Sequence, residues 1–292
     1  SIYRVFVLEA RFGFNRMTPR LFAIDLCKSA ALAALFGIPL LFLVLWLMAV
    51  MGEFWWIYVW VVWIAFNLLI LFLFPTFIAP VFNRFTPLSD PDLSARIGNL
   101  LERCGFKPRE LYVMDGSKRS SHGNAYFAGF GPAKRIVFFD TLLGRLTVPE
   151  VEAVLAHELG HHKFHHIWKR VALVFAASLV LLWGLGQLIN LPWFYQGLGV
   201  SRSSPAVALV FFVLIVPIFT FFLQPLLSRL SRGHEFEADA YSAAHANSAD
   251  LASALVKLYK DNAATLTPDP LHSAFYDSHP PAIARVGRLI SS

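Results

Sequence analysis

Four long stretches of this chain carry no charged side chain: residues 29–52, 54–83, 171–201 and 203–228. A helix needs about 20 apolar residues to cross the hydrocarbon of a bilayer, because each residue adds only about 1.5 Å of rise. All four runs are long enough, so the pattern predicts four spanning helices, two within 29–82 and two within 167–228. Pro75, Pro80, Pro217 and Pro225 lie in or near the ends of these runs and are expected to kink or end the helices. Three more polar segments remain, 1–28, 83–166 and 229–292. In the second of them 111–114, 125–128 and 136–139 read as short strands between turn-rich stretches, while 94–103 and the residues from 147 onward read as helices.

Composition agrees with a membrane protein. The chain is 57% hydrophobic and 15% charged, with 28 Phe and 8 Trp, against about 25% charged residues in ordinary globular domains. Of its 25 Lys and Arg, five precede residue 29, thirteen lie between 83 and 170 and six follow 228. The positive-inside rule then puts all three polar segments on the cytoplasmic face. Attraction to anionic lipid accounts for the net charge of +6, and no nucleic-acid-binding module is recognisable. Cys27 and Cys104 are too few and too far apart for a disulfide framework or a zinc knuckle, and both read as buried thiols. The chain opens on Ser and lacks a signal-peptide pattern, which is compatible with a piece of something longer.

The candidate chemistry lies at the edges of the polar segments. Thr147 and Glu150 have the spacing of a capping box, with Pro149 beside them, and Val151, Val154, Leu155 and Leu159 give the following helix an apolar stripe. That helix carries His157-Glu158-Leu159-Gly160-His161. Residues four apart share a face, so two imidazoles can hold one metal ion while Glu158 stays beside it to move protons, as in the HExxH zinc proteases. Phe164 and Ile167 stand where a metzincin needs Gly and His, so a third ligand must come from elsewhere. Glu235 and Asp239 are also four apart. One carboxylate can bind metal while the other holds a ligand imidazole from behind, with Glu235 favoured as the ligand and Glu237 pointing elsewhere. A solvated acidic helix face is the plain alternative. A small sheet beside such a helix suits a protease, since an extended peptide can pair with a free edge. Asn124, after Gly123 at the mouth of the second strand, is either a turn residue or part of that groove.

These residues carry a resemblance. Glu9-Ala10-Arg11-Phe12-Gly13-Phe14-Asn15-Arg16, Asn124-Ala125-Tyr126-Phe127, His157 to His161, Glu235 to Asp239, and Ser278-His279-Pro280-Pro281 with Arg285 run in order along nearly the whole chain. In this the chain resembles the type I CAAX prenyl endopeptidases, integral-membrane zinc metalloproteases of the gluzincin kind. The resemblance implies one zinc per chain on His157, His161 and Glu235, Glu158 as general base, and Asn124, His279 and Arg285 in contact with the substrate backbone or the oxyanion. On their own, His279 before two prolines reads as a loop residue and Arg285 as a helix-surface charge. Members of this family enclose a chamber with seven membrane helices, and the family pattern places those not found here before residue 1. The implied substrate is an isoprenylated CAAX protein or peptide, cut to release its last three residues.

The expected architecture is therefore mainly α: a polytopic helical membrane protein with a small α+β zincin-like metalloprotease domain. A membrane quality-control protease of the heat-shock-induced kind would share the metal motif, but the 9–16 and 279–285 patterns favour the prenyl protease. A non-catalytic zinc scaffold is opposed by the intact Glu158. His162, His165 and His166 keep a small version of the scaffold open, since a surplus ligand could close the metal's free position, but they read rather as interfacial residues at the head of the third span.

Overall fold

The computed structural model describes residues 2–107, 110–128 and 135–291. The chain divides into two compact units, one of residues 23–73 and 167–224, the other of 1–22, 74–166 and 225–292.

The first unit is built from apolar helices. Helix α1 (Pro19–Val50) is followed by α2 (Trp55–Leu73); the π-helical turn at Phe74–Ile78 and α3 (Ala79–Phe82) come next in the chain and belong to the other unit. Pro75 sits in that widened turn. After the intervening polar segment come α7 (His166–Leu188), the short α8 (Pro192–Gln196) and α9 (Pro205–Phe221). Leu47, Trp55, Val59, Leu185, Tyr195 and Ala208 form a buried cluster, and the Trp60 indole N–H donates to the Phe175 carbonyl at 2.9 Å. Most other large side chains point outward, with Phe42 and Phe219 more than two-thirds exposed, as a surface bathed in lipid tails requires.

The span boundaries differ from those of the charge-free runs. Among the described residues three helices, α1, the stretch from Gly52 to Phe82, and α7, are each long and apolar enough to cross a membrane. There, a fourth span is reached if α9 and the following α10 (Gln224–His245), bent by 66°, count as one. Helix α1 starts ten residues before its run and takes in Arg20, Asp25 and Lys28, which long side chains near a helix end allow. The third run ends early at Leu188, and Pro192 opens α8 as its N-terminal proline. Pro225 follows the bend between α9 and α10. Cys104 is buried as expected, but Cys27 is exposed, because it lies on an outward face of α1.

The second unit holds a four-stranded mixed sheet of β1 (Phe85–Pro87), β2 (Glu110–Met114), β3 (Ala125–Ala128) and β4 (Arg135–Phe139), in the order β1-β2-β4-β3. The central pair is parallel, with Leu111 opposite Ile136 and Val113 opposite Phe138, and the outer pairs are antiparallel. Strand β1 was not expected, since three residues ending in proline show no alternation. Ile136 and Phe138 point into a core shared with Leu93, Ile97, Leu100 and Leu101 of α4 (Pro91–Arg103). Asp90 caps α4 by accepting the N–H groups of Asp92 and Leu93, so the helix begins three residues before residue 94.

A short helix α5 (Asp140–Leu143) leads to α6 (Val148–Lys163). The Thr147–Glu150 capping box forms, and Val151, Leu155 and Leu159 are buried in the core. Glu150 also anchors α11 (Ser248–Asp261), accepting from Ser253 Oγ and Lys257 Nζ at 2.7 Å each. Burial alone would raise the Glu150 carboxyl, but Lys257, Ser253 and Thr147 hold it down at about 2. Two further helices, α12 (Pro270–Tyr276) and α13 (Ala282–Ser291), complete the unit. Strand β3 packs on α6 and, among the described residues, its outer edge has no strand partner.

Candidate metal centre

Helix α6 presents His157 and His161 on one face, and α10 brings Glu235 opposite them. The ligand atoms of these three side chains all lie within 4.8 Å of one another. The two Nε2 atoms are 3.1 Å apart, with Glu235 Oε1 3.4 Å from His161 Nε2 and Oε2 3.6 Å from His157 Nε2. Zn–N bonds of about 2.0–2.1 Å at a tetrahedral angle would separate two nitrogens by roughly 3.3 Å, so the donors are spaced to share an ion. Glu235 is 5% exposed, and its Oε2 makes no hydrogen bond, with the Arg285 guanidinium as an ion-pair partner at 3.2 Å. Buried donors that face one another this closely, a carboxylate and two imidazole nitrogens, are what a shared metal ion requires. The donor set fits a divalent metal.

Each imidazole is held from behind. His157 Nδ1 lies 2.9 Å from Asp239 Oδ1, which fixes the ring proton on Nδ1 and frees Nε2. Asp239 also receives two bonds from Arg285, Nε to Oδ2 at 2.8 Å and Nη2 to Oδ1 at 2.6 Å. Burial would raise the Asp239 carboxyl, yet His157 and Arg285 hold it at about 2. For Glu235 burial again acts upward and is outweighed by His161, His279, His157 and Arg285, so it stays ionised.

Glu158 lies on the next position of α6 beside the two histidines, and burial is the main cause that pushes its carboxyl above the usual range. His279 sets its Nε2 3.5 Å from Glu235 Oε1 while its side chain remains 61% exposed. Tyr259 pins the loop carrying it by donating to the Pro280 carbonyl at 3.0 Å. A cavity of about 480 Å³ opens beside His279, lined by Tyr259, Thr265, His272, Tyr276 and Ser278 among others. Arg285 is buried, with Nη1 3.2 Å from Glu235 Oε2. Asn124 stands exposed at the start of β3, its side-chain oxygen accepting the Ala125 N–H at 2.8 Å. The 9–16 segment reaches the loop ahead of Asn124, where Ser121 N donates to the Phe14 carbonyl at 3.1 Å and the Phe14 ring lies 4.7 Å from His122.

Two residues of the site escaped the sequence reading. Gly160 lies where α6 and α10 touch: a Cβ there would sit 2.9 Å from Ala238 Cα and 3.1 Å from Tyr241 Cβ. Gly160→Ala should therefore push α10 away, carry Glu235 off the histidines, and cost about 1–3 kcal/mol. Melting temperature and bound metal, measured side by side, should both fall. The other is His166, which heads the third candidate span as expected but is also buried against His161.

Residues 87–291 match the model of peptidase family M48, and residues 1–84 match the model described as CAAX prenyl protease N-terminal, five membrane helices. CAAX prenyl protease 1 of Saccharomyces cerevisiae is 37% identical over 306 residues, covering 99% of this chain and 67% of that protein. The CAAX prenyl protease 1 homolog of Dictyostelium discoideum is 38% identical over 295 residues, covering 99% and 68%. Among solved structures, the crystal structure of S. mikatae Ste24p superposes with a TM-score of 0.91 at 36% identity, over 99% of this chain and 70% of that one.

Proposed function

Because this chain belongs to peptidase family M48, with the CAAX prenyl protease 1 proteins as its relatives, we propose that it is a membrane zinc endopeptidase that removes the C-terminal tripeptide of isoprenylated CAAX proteins. The convergence of His157, His161 and Glu235 beside Glu158 carries this reading. Zinc held by those three donors would acidify a water molecule toward neutrality and polarise the scissile carbonyl.

The remaining work falls to the chain's own side chains. Glu158 takes a proton from the attacking water and delivers it to the leaving amine, and burial, which raises its carboxyl, helps it hold that proton between the two transfers. His279, exposed above Glu235, is placed to donate to the developing oxyanion. Arg285 acts from behind, where its charge keeps Asp239 and Glu235 ionised and aligned. The outer edge of β3, which has no strand partner among the described residues, offers backbone groups to an extended substrate, with Asn124 at its entrance. The Lys and Arg asymmetry supports a cytoplasmic position for these elements. A cysteine introduced at Lys118 should accordingly be shielded from an impermeant thiol reagent in intact cells, whereas one at Ser201 should react.

The substrate assignment is tested by incubating the purified protein with farnesylated and unfarnesylated CAAX peptides and identifying products by mass spectrometry. Release of the tripeptide from the farnesylated peptide alone, or far faster from it, is expected. Equal cleavage of both, or cuts scattered along unrelated membrane peptides, would favour a quality-control protease instead.

A further inference from the structure

His166 forms part of the site that the HExxH spacing does not announce. Five residues along a continuous helix amount to a rotation of about 500°, so His166 would point roughly 140° away from His161 had α6 run on. Helix α6 stops at Lys163 instead, and His165 adopts φ 56°, left-handed backbone that side chains other than glycine rarely take. This turn starts α7 at His166 and swings its imidazole back to His161, with the two Nδ1 atoms 2.9 Å apart. The ring is 4% exposed and stacks on His234 at 4.1 Å and 12°. Its Nε2 lies 2.8 Å from Glu237 Oε2.

The directions of these hydrogen bonds follow from one requirement. His161 turns Nε2 toward His157 and Glu235, and offers a lone pair there only if its proton sits on Nδ1. His166 Nδ1 must then accept that proton's hydrogen bond, which leaves the His166 proton on Nε2, where the Glu237 carboxylate accepts it. One tautomer assignment satisfies all three groups. Glu235 and Glu237 are two residues apart on α10, about 200° round the helix, so the same helix reaches the metal site with one carboxylate and His166 with the other.

We infer that His166 and Glu237 are positioning residues for His161, fixing its tautomer and ring orientation as Asp239 does for His157. The inference rests on the proposed zinc triad. It is tested on the full chain in detergent, by competing a chelating dye for zinc and by following the melting of the metal-free protein. His166→Phe keeps a stacking ring but removes the acceptor, and should weaken zinc binding about 10–100-fold with little change in the metal-free melting temperature. His166→Asn, whose Oδ1 can replace Nδ1, should recover most of that loss. Glu237→Ala, at a half-exposed side chain, should still load one zinc at saturation but bind it about 3–10-fold more weakly. Unchanged affinity in His166→Phe would overturn the inference, as would equal losses in the Phe and Asn variants accompanied by a destabilised metal-free protein. If His166→Phe fails to fold, unchanged affinity in Glu237→Ala overturns it. Absence of zinc binding in the unsubstituted protein, or undiminished binding in Glu235→Ala, would instead remove the triad itself.

Discussion

Glu158→Gln should leave one zinc per chain while cutting tripeptide release by about 10³–10⁴-fold. The amide keeps the size and hydrogen-bonding reach of the carboxylate but cannot accept a proton from water. General acid and base catalysis typically contributes ~10²–10⁴-fold, and in the proposed mechanism one residue serves both transfers, so the loss belongs at the upper end. The neighbours of Glu158 are shaped by the α6 core rather than by its charge, since Leu155 and Leu159 are fully buried on that helix. The fold and the metal should therefore survive. Metal analysis and single-turnover cleavage on the same sample separate the two effects, and a Gln variant that cleaves normally would return Glu158 to a structural role. His279→Ala should also retain zinc, with the smaller loss of ~10²–10³-fold expected when one oxyanion donor is removed.

Glu235→Ala is expected to have the opposite signature, losing metal first and activity as a consequence. Two imidazoles without the carboxylate leave the site with two donors where catalytic zinc sites have three. The same substitution leaves the Arg285 guanidinium with Asp239 as its remaining carboxylate partner, so a modest loss of stability should accompany the loss of zinc. Zinc content and melting temperature should fall together in this variant. An Ala variant that still holds a full zinc would move the third ligand to another residue.

The local features were legible in the sequence because they depend on spacing within one element. Thr147 and Glu150 cap α6 at the expected place, and the four-residue periods of His157 with His161 and of Glu235 with Asp239 put each pair on one helix face. The long charge-free runs likewise announce apolar helices, although they mislocate the ends. Charged side chains such as Arg20 and Lys28 join α1 without interrupting its helix, and Pro192 ends a run that contains no charge.

The features that were not legible depend on how distant elements meet. Gly160 is an unspecified position of HExxH, and its need for hydrogen in place of a side chain exists only because Ala238 of α10 crosses there. His166 looks like one of several histidines at a span head until the left-handed turn at His165 brings it under His161. Arg285 reads as a surface charge until α13 packs on α11 and its guanidinium meets Asp239. Strand β1 is too short to show a period and owes its existence to pairing with β2.

If His157, His161 and Glu235 hold one zinc, the peptidase activity should require it. The most direct measurement strips the purified protein of metal, returns zinc in known increments and follows tripeptide release from a farnesylated CAAX peptide. Release should be absent from the stripped protein, rise in proportion to added zinc and level off at one ion per chain. Full cleavage by the stripped protein, or a plateau reached only at two or more ions, would rule out a single catalytic zinc on these three residues.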